Sequence, residues 1–166
     1  MKSVIWLFSL IFILAACGKK SVTVNVSDYG LKPDSKENAI PAIIKAIDEC
    51  KKSPNAVLKF EKGRYDFWPD STFTKEYFES NTTNDAPKKL AILIEGCKGL
   101  TIEGEGADFV FHGAMQPISV DRSENVVIKN VNIDWDIPLT AQGKVLAATP
   151  KNIDLEIDTK QFPYEI

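Results

Sequence analysis

The 166-residue chain reads as an all-β protein, a right-handed parallel β-helix with an N-terminal capping α-helix. Three observations predict this. The element order is one strand, one helix and then only short strands. The stretch IEGCKGLTIEGEG (94–106) repeats as VDRSENVVIKNVN (120–132), which sets Cys97 on Ser123, Gly99 on Asn125, Leu100 on Val126 and Ile102 on Ile128 at an offset of 26 residues. A period of that size, with short strands and no helix in each copy, is the mark of a solenoid, in which one coil buries its apolar side only against the next. Finally, the helix carries a single apolar stripe, as a cover for the open end of such a stack would. A sandwich of the same strands is the alternative assembly.

The elements follow in order. MKSVIWLFSLIFILAAC starts with Lys2, runs apolar from Val4 to Leu14 and closes on small residues. That is the pattern of a secretory signal, and it is short for a transmembrane span. Its end, LAAC, resembles the bacterial lipobox. The resemblance implies that Cys17 is lipidated and becomes the first mature residue. It also implies a lipid anchor in a bacterial cell envelope, on an outer membrane that faces the periplasm or the surface. Residues 18–21 are a tether, and 22–166 are the coils. Val22, Val24 and Val26 alternate with Thr23, Asn25 and Ser27, the period of a strand. SDYGLKPDSKEN is rich in turn formers.

NAIPAIIKAIDECKK predicts a helix over about 39–52. Ile40, Ile43, Ile44 and Ile47 share one face, Asn38 is the expected N-cap, and Pro41 falls in the tolerant first turn. Lys51 and Lys52 suit the negative end of the helix dipole, and Ser53-Pro54-Asn55 stops it. Beyond residue 55, AVLKF, GRYDF, LAILIEG, GLTIEG, DFVFHG, PISVD, NVVIKNVNIDW and IDLEID read as short strands.

Composition excludes some functions. Apolar residues make up 44% of the chain, enough for a folded core. The formal net charge is −3 and no Lys/Arg run occurs, so nucleic acid is not an expected partner. Cys50 and Cys97 remain after the signal. An envelope location permits a disulfide between them, and two buried free thiols are the alternative.

Chemistry centres on VNIDWDIP (131–138). Val131, Ile133 and Trp135 share one parity and are expected in the core. Asn132, Asp134 and Asp136 share the other and face out. Along a strand the two aspartate Cα atoms lie about 6–7 Å apart. Inverting glycosidases hold their two carboxyl groups roughly 6.5–9.5 Å apart. The spacings are compatible, which makes Asp134 and Asp136 candidate catalytic residues, although Cα spacing is not carboxylate spacing and two neighbours on one strand do not flank a bond. The edge of a substrate cleft is the other reading. Asp134, Asp136 and Asn132 also supply part of the oxygen set a calcium ion needs, but they fall short of its roughly six to eight ligands, and no metal and no cofactor are expected.

His112, the single histidine, ends DFVF at a turn, where it is either a structural hydrogen-bonding group or a substrate contact. Gly104 and Gly106 lack the third glycine of a phosphate loop and read as coil turns. The segment 68–89 is longer than a turn requires and carries Trp68, Phe73, Tyr77 and Phe78. Trp68 is the candidate sugar platform there, and the opposing reading packs these aromatics on their own coil.

Two resemblances sharpen the expectation. VNVSDYGLKPDSKENAIPAIIKAIDECKKSPNAVLKFEKGRYDF resembles the opening of pectinase-type β-helix proteins, with Asp28-Tyr29-Gly30 as the turn and Gly63-Arg64-Tyr65 ending a strand. FVFHGAMQP followed by SENVVIKNVNIDWDIP, within the segment 80–145, resembles glycoside hydrolase family 110, the bacterial α-1,3-galactosidases. That likeness implies removal of terminal α-1,3-linked galactose, as in blood group B-type glycans, with inversion. It implies galactose-terminated glycans as partners, and a catalytic acid and base on later coils, beyond Ile166. On this reading the chain is the front of a longer protein and inactive alone. The alternatives are another β-helix polysaccharide hydrolase or lyase, or a non-catalytic glycan-binding surface lipoprotein.

Overall fold

A computed structural model describes residues 21–77 and 87–163. The expectations for Cys17, for the signal and for Phe78 lie outside the described residues. In chain order the elements are β1 (Thr23–Asn25), α1 (Ile40–Cys50), β2 (Val57–Lys59), β3 (Arg64–Phe67), β4 (Phe73–Lys75), β5 (Lys88–Glu95), β6 (Thr101–Phe111), β7 (Gln116–Asp121), β8 (Val127–Trp135), β9 (Gly143–Ala148) and β10 (Ile153–Ile157). The described chain is mostly strand, with one α-helix and two short 3-10 turns.

Parallel pairing organises most of it. β1 pairs with β2, β2 with the first part of β6, and that part with the start of β8. The second part of β6 lies between β3 and the end of β8, again in parallel. A separate parallel pair joins β5 to β7. The register carries the repeat seen in the sequence. Thr101 faces Val127, Ile102 faces Ile128, Ile92 faces Ile118 and Lys98 bridges Glu124, each 26 residues apart. Equivalent turn positions share the left-handed backbone, with φ of 70° at Gly96 and 45° at Arg122, then 73° at Gly99 and 53° at Asn125. The Ser123 hydroxyl accepts the Cys97 N–H at 2.9 Å, joining the two positions that the repeat aligns.

Two expected strands, GLTIEG and DFVF, form one 11-residue strand, β6. Its register slips between Glu103 and Ala107, where Glu105 (φ 50°) and Gly106 (φ 85°) turn a corner without ending the ladder. β8 turns the matching corner at Asn130 (φ 56°). A Cβ on Gly104 would stand 2.4 Å from the Asn130 carbonyl oxygen, so glycine permits the two corners to nest.

The core follows strand parity. Tyr65, Phe67, Phe109 and Phe111 are fully buried, and Phe67 stacks on Phe111 with ring centres 4.5 Å apart. Trp135 continues that row at 5.7 Å from Phe111 and is half-buried, in keeping with its parity. Ile133, opposite Phe109, is 44% exposed because no described strand lies over it. Each buried aromatic contributes roughly 1.5–3 kcal/mol over an exposed one.

Helix α1 buries Ile40, Ile43 and Ile47 in the same core and packs against β1, β2 and β5. It is shorter than 39–52. Lys51 and Lys52 lie beyond its end and pair with Asp48 at 3.1 Å and Glu49 at 2.6 Å. Ala39, not Asn38, holds the N-cap position. The Asn38 side chain still accepts the Ile40 N–H at 3.2 Å. It also accepts the Trp68 N–H at 3.2 Å and donates to the Trp68 carbonyl at 3.2 Å, tying the helix entry to the end of β3.

Two regions depart from parallel stacking. β9 and β10 pair antiparallel, and β4 pairs antiparallel with β5. The β9–β10 connection is too short for a parallel crossover, which takes about a dozen residues or more. Thr149 closes that turn by accepting the N–H groups of Lys151 and Asn152. Cys50 and Cys97 are buried free thiols, and burial, with Cys97 nearby, pushes the Cys50 thiol up to about 12.

Candidate functional site

The face opposite the aromatic row carries the polar chemistry. Parity places Arg64, Asp66 and Trp68 there from β3 and its extension. The pairing sets Arg64 beside Asp108 and Asn132, and Asp66 beside Val110 and Asp134. The ladder continues past the strand ends: the His112 N–H donates to the Phe67 carbonyl at 3.0 Å, and the Asp136 N–H to the Phe111 carbonyl at 3.1 Å. Trp68, His112 and Asp136 thereby make the next rung, although they lie far apart in sequence.

Asp66 anchors the group. It is 2% exposed, and the Arg64 guanidinium grips it with Nη2 at 2.6 Å and Nε at 3.0 Å from Oδ1. His112 Nε2 lies 2.8 Å from the same oxygen. Burial pushes the Asp66 carboxyl up, but the hydrogen bonds from Arg64 and His112 outweigh it and hold the group below its ordinary range. An ionised carboxylate only accepts, so Nε2 carries the proton in this bond. The opposite ring nitrogen, Nδ1, faces Asp136 Oδ2 at 3.5 Å, and Arg64 Nη2 lies 3.7 Å from Asp136 Oδ1. Trp68 lies flat on the imidazole, with ring centres 3.5 Å apart and planes 4° from parallel.

A cleft of about 580 Å³ opens over this rung, lined by Trp68, Pro69, His112, Asp136, Ile137 and Leu139 among others. It offers an exposed indole, an exposed carboxylate and an apolar far wall, supported from behind by the buried Asp66 and its contacts with Arg64 and His112. Such a surface takes a small ligand with both hydroxyl groups and an apolar face.

Three of the four residues singled out from sequence meet here: Trp68, His112 and Asp136. Asp134 does not join them, and its carboxylate accepts the Trp135 N–H at 2.8 Å. Asn132 donates to Asp108 at 2.8 Å. Among the described residues no cluster of three or more His, Cys, Asp or Glu side chains is placed to hold a metal ion. Of the other aromatics in the long segment, Phe73 lies in β4 against β5, and the Tyr77 hydroxyl donates to Asp121 at 2.7 Å. Arg64 and Asp66 were not anticipated as site residues, because GRYDF reads as a plain strand. Their shared parity with Trp68 is the signal that finds them.

No protein-family model matches the chain. Its relatives among known proteins are glycoside-cleaving enzymes. The chain is homologous to the N-terminal quarter of the bacterial α-1,3-galactosidases and belongs with that family. It is 51% identical over 146 residues to an α-1,3-galactosidase B of Bacteroides thetaiotaomicron, covering 88% of this chain and 24% of that protein. An α-1,3-galactosidase B of Phocaeicola vulgatus is 39% identical over 160 residues, 94% of this chain and 26% of that protein. An α-1,3-galactosidase A of Shewanella woodyi is 40% identical over 144 residues, 86% and 24% respectively. The chain thus spans about a quarter of the length of these relatives.

Proposed function

We propose that the chain supplies the N-terminal part of an exo-acting α-1,3-galactosidase that removes terminal galactose from glycans by inversion. The observation that carries this reading is the 51% identity to an α-1,3-galactosidase over 146 residues. In a single displacement, a carboxylic acid protonates the leaving oxygen while a carboxylate base activates water on the opposite face of the sugar. Asp134 and Asp136 fit that pair poorly. They project from one strand, and only Asp136 faces the cleft. The acid and base therefore belong to parts of such an enzyme outside this chain.

The stacked register, the 26-residue offset and the repeated left-handed turns support a right-handed parallel β-helix as the parent architecture, with α1 over its first coils. The lipobox-like LAAC supports lipidation at Cys17 and an envelope location. A clickable fatty acid that fails to label the wild-type chain in bacterial cells would remove the anchor.

The hydrolase reading is tested with a chimera in which residues 21–163 replace the matching quarter of the Bacteroides thetaiotaomicron relative. It is expected to release galactose from an α-1,3-linked galactobiose, with β-galactose as the first-formed anomer by NMR. A folded chimera without turnover, or one releasing α-galactose first, defeats the reading. The chain alone is expected to release none.

A further inference from the structure

The geometry points to a hexopyranose-binding subsite at the ends of β3, β6 and β8, with the Trp68 ring as platform and the Asp136 carboxylate as hydroxyl acceptor. It rests on the proposed function only for the class of ligand. Four observations carry it.

Trp68 is 40% exposed, whereas Tyr65, Phe67, Phe109 and Phe111 beside it are essentially inaccessible. Its inner face lies on His112 at 3.5 Å, so the ring is held flat and its orientation is set before any ligand arrives. The exposed part of the ring lines the same cleft as Asp136, where it can meet the C–H groups of a sugar.

The two carboxylates of the network differ in what they have left to give. Asp66 is buried and taken up by contacts of 2.6, 2.8 and 3.0 Å. Asp136 is half-exposed, and its cationic and imidazole neighbours stand off at 3.7 and 3.5 Å. Neither contact is a hydrogen bond, so the Asp136 oxygens remain available to sugar hydroxyls. Arg64 and His112 are positioning residues, themselves fixed by Asp66.

The cleft of about 580 Å³ is of small-ligand size, and Ile137 and Leu139 give it an apolar far wall. An anionic ligand would meet the Asp136 carboxylate, so the site suits a neutral polyol ring.

His112 is the only histidine in the chain, so its ring resonances report on this site alone. Methyl α-galactoside and methyl α-glucoside are titrated separately into the full chain, and the His112 ring shifts are followed by NMR. A saturable shift with either sugar is expected. Asp136→Asn should weaken it roughly tenfold, the worth of one charge-assisted hydrogen bond. Trp68→Ala should abolish it, and Trp68→Phe, which keeps a smaller ring and guards against loss of fold, should retain part. No saturable shift with either sugar in the wild-type chain overturns the subsite, and so does wild-type affinity in folded Trp68→Ala. Turnover by the chimera without a His112 shift sinks the subsite alone. A His112 shift with an inactive chimera sinks the hydrolase reading alone.

Discussion

Asp66 sits where a charge is expensive, and its neighbours decide whether it stabilises the fold. Removing a carboxylate from water costs several kcal/mol, and only good partners offset that. Here Arg64 binds in a fork and His112 adds a third donor. Deleting the carboxylate leaves the Arg64 fork and the His112 N–H without an acceptor. Asp66→Ala is therefore expected to lower stability at pH 7 by on the order of 3 kcal/mol, read as a fall in the urea midpoint. Because the folded carboxyl is held below its ordinary value, its contribution is complete above the unfolded value of about 3.9 and fades as pH falls through the lower folded value. Asp66→Asn should consequently flatten the acid limb of the stability curve. An unchanged slope between pH 5 and pH 2 would show that Asp66 is not its source. Glu103 works in the same window. Asn130, the Glu105 N–H and Lys129 hold it down to about 2. Trp68, His112 and Asp136 were each legible in the sequence as single residues. Their contact was not, since Trp68 and His112 are 44 positions apart and no local pattern encodes a stacking register.

Among the elements, the nested corners of β6 and β8 set where the outer residues land. Gly104 and Gly106 flank that corner for different reasons. A Cβ on Gly104 would collide with the Asn130 carbonyl at 2.4 Å and the Val131 side chain at 2.3 Å. Gly106 has open space around it, and its φ of 85° is the only obstacle. Gly104→Ala should cost about 2 kcal/mol, as overpacking does, and loosen amide protection along β8. Gly106→Ala should cost about 1 kcal/mol and leave that protection intact. Equal effects in hydrogen exchange would contradict the nesting. The 26-residue offset was readable up to Glu103, because turn residues and apolar pairs recur together in the sequence; the change to 24 beyond the corner, where Ala107 faces Val131, was not. The antiparallel β9–β10 pair was not readable, since pairing direction depends on connection length and on which strand edges are free. The helix was overextended by its two lysines, which fit a dipole argument but lie past the last turn.

For the whole molecule, the inward row ends unevenly. Phe109 is inaccessible while Ile133, its neighbour across β6 and β8, is 44% exposed. Among the described residues, the Trp135 indole N–H is buried without a partner, as are the Gln116 side-chain oxygen Oε1 and the Ser119 hydroxyl. Ile133→Lys is expected to change the stability of this chain by no more than about 0.5 kcal/mol, as at other exposed positions. In the chimera, where the proposed next coil covers Ile133, the same change should cost several kcal/mol as a buried unpaired charge. Phe109→Ala should cost roughly 3–5 kcal/mol in both. Matching denaturation midpoints for Ile133→Lys and wild type in the chimera would refute the covering coil.

The stack has another consequence. Its rungs follow the order of the chain, β1, β2, β6 and β8, and α1 packs on the first two. A nascent chain leaving the ribosome therefore meets each template strand before the strand that must lie on it. Assembly has a direction built in, and every new rung docks on a surface already formed.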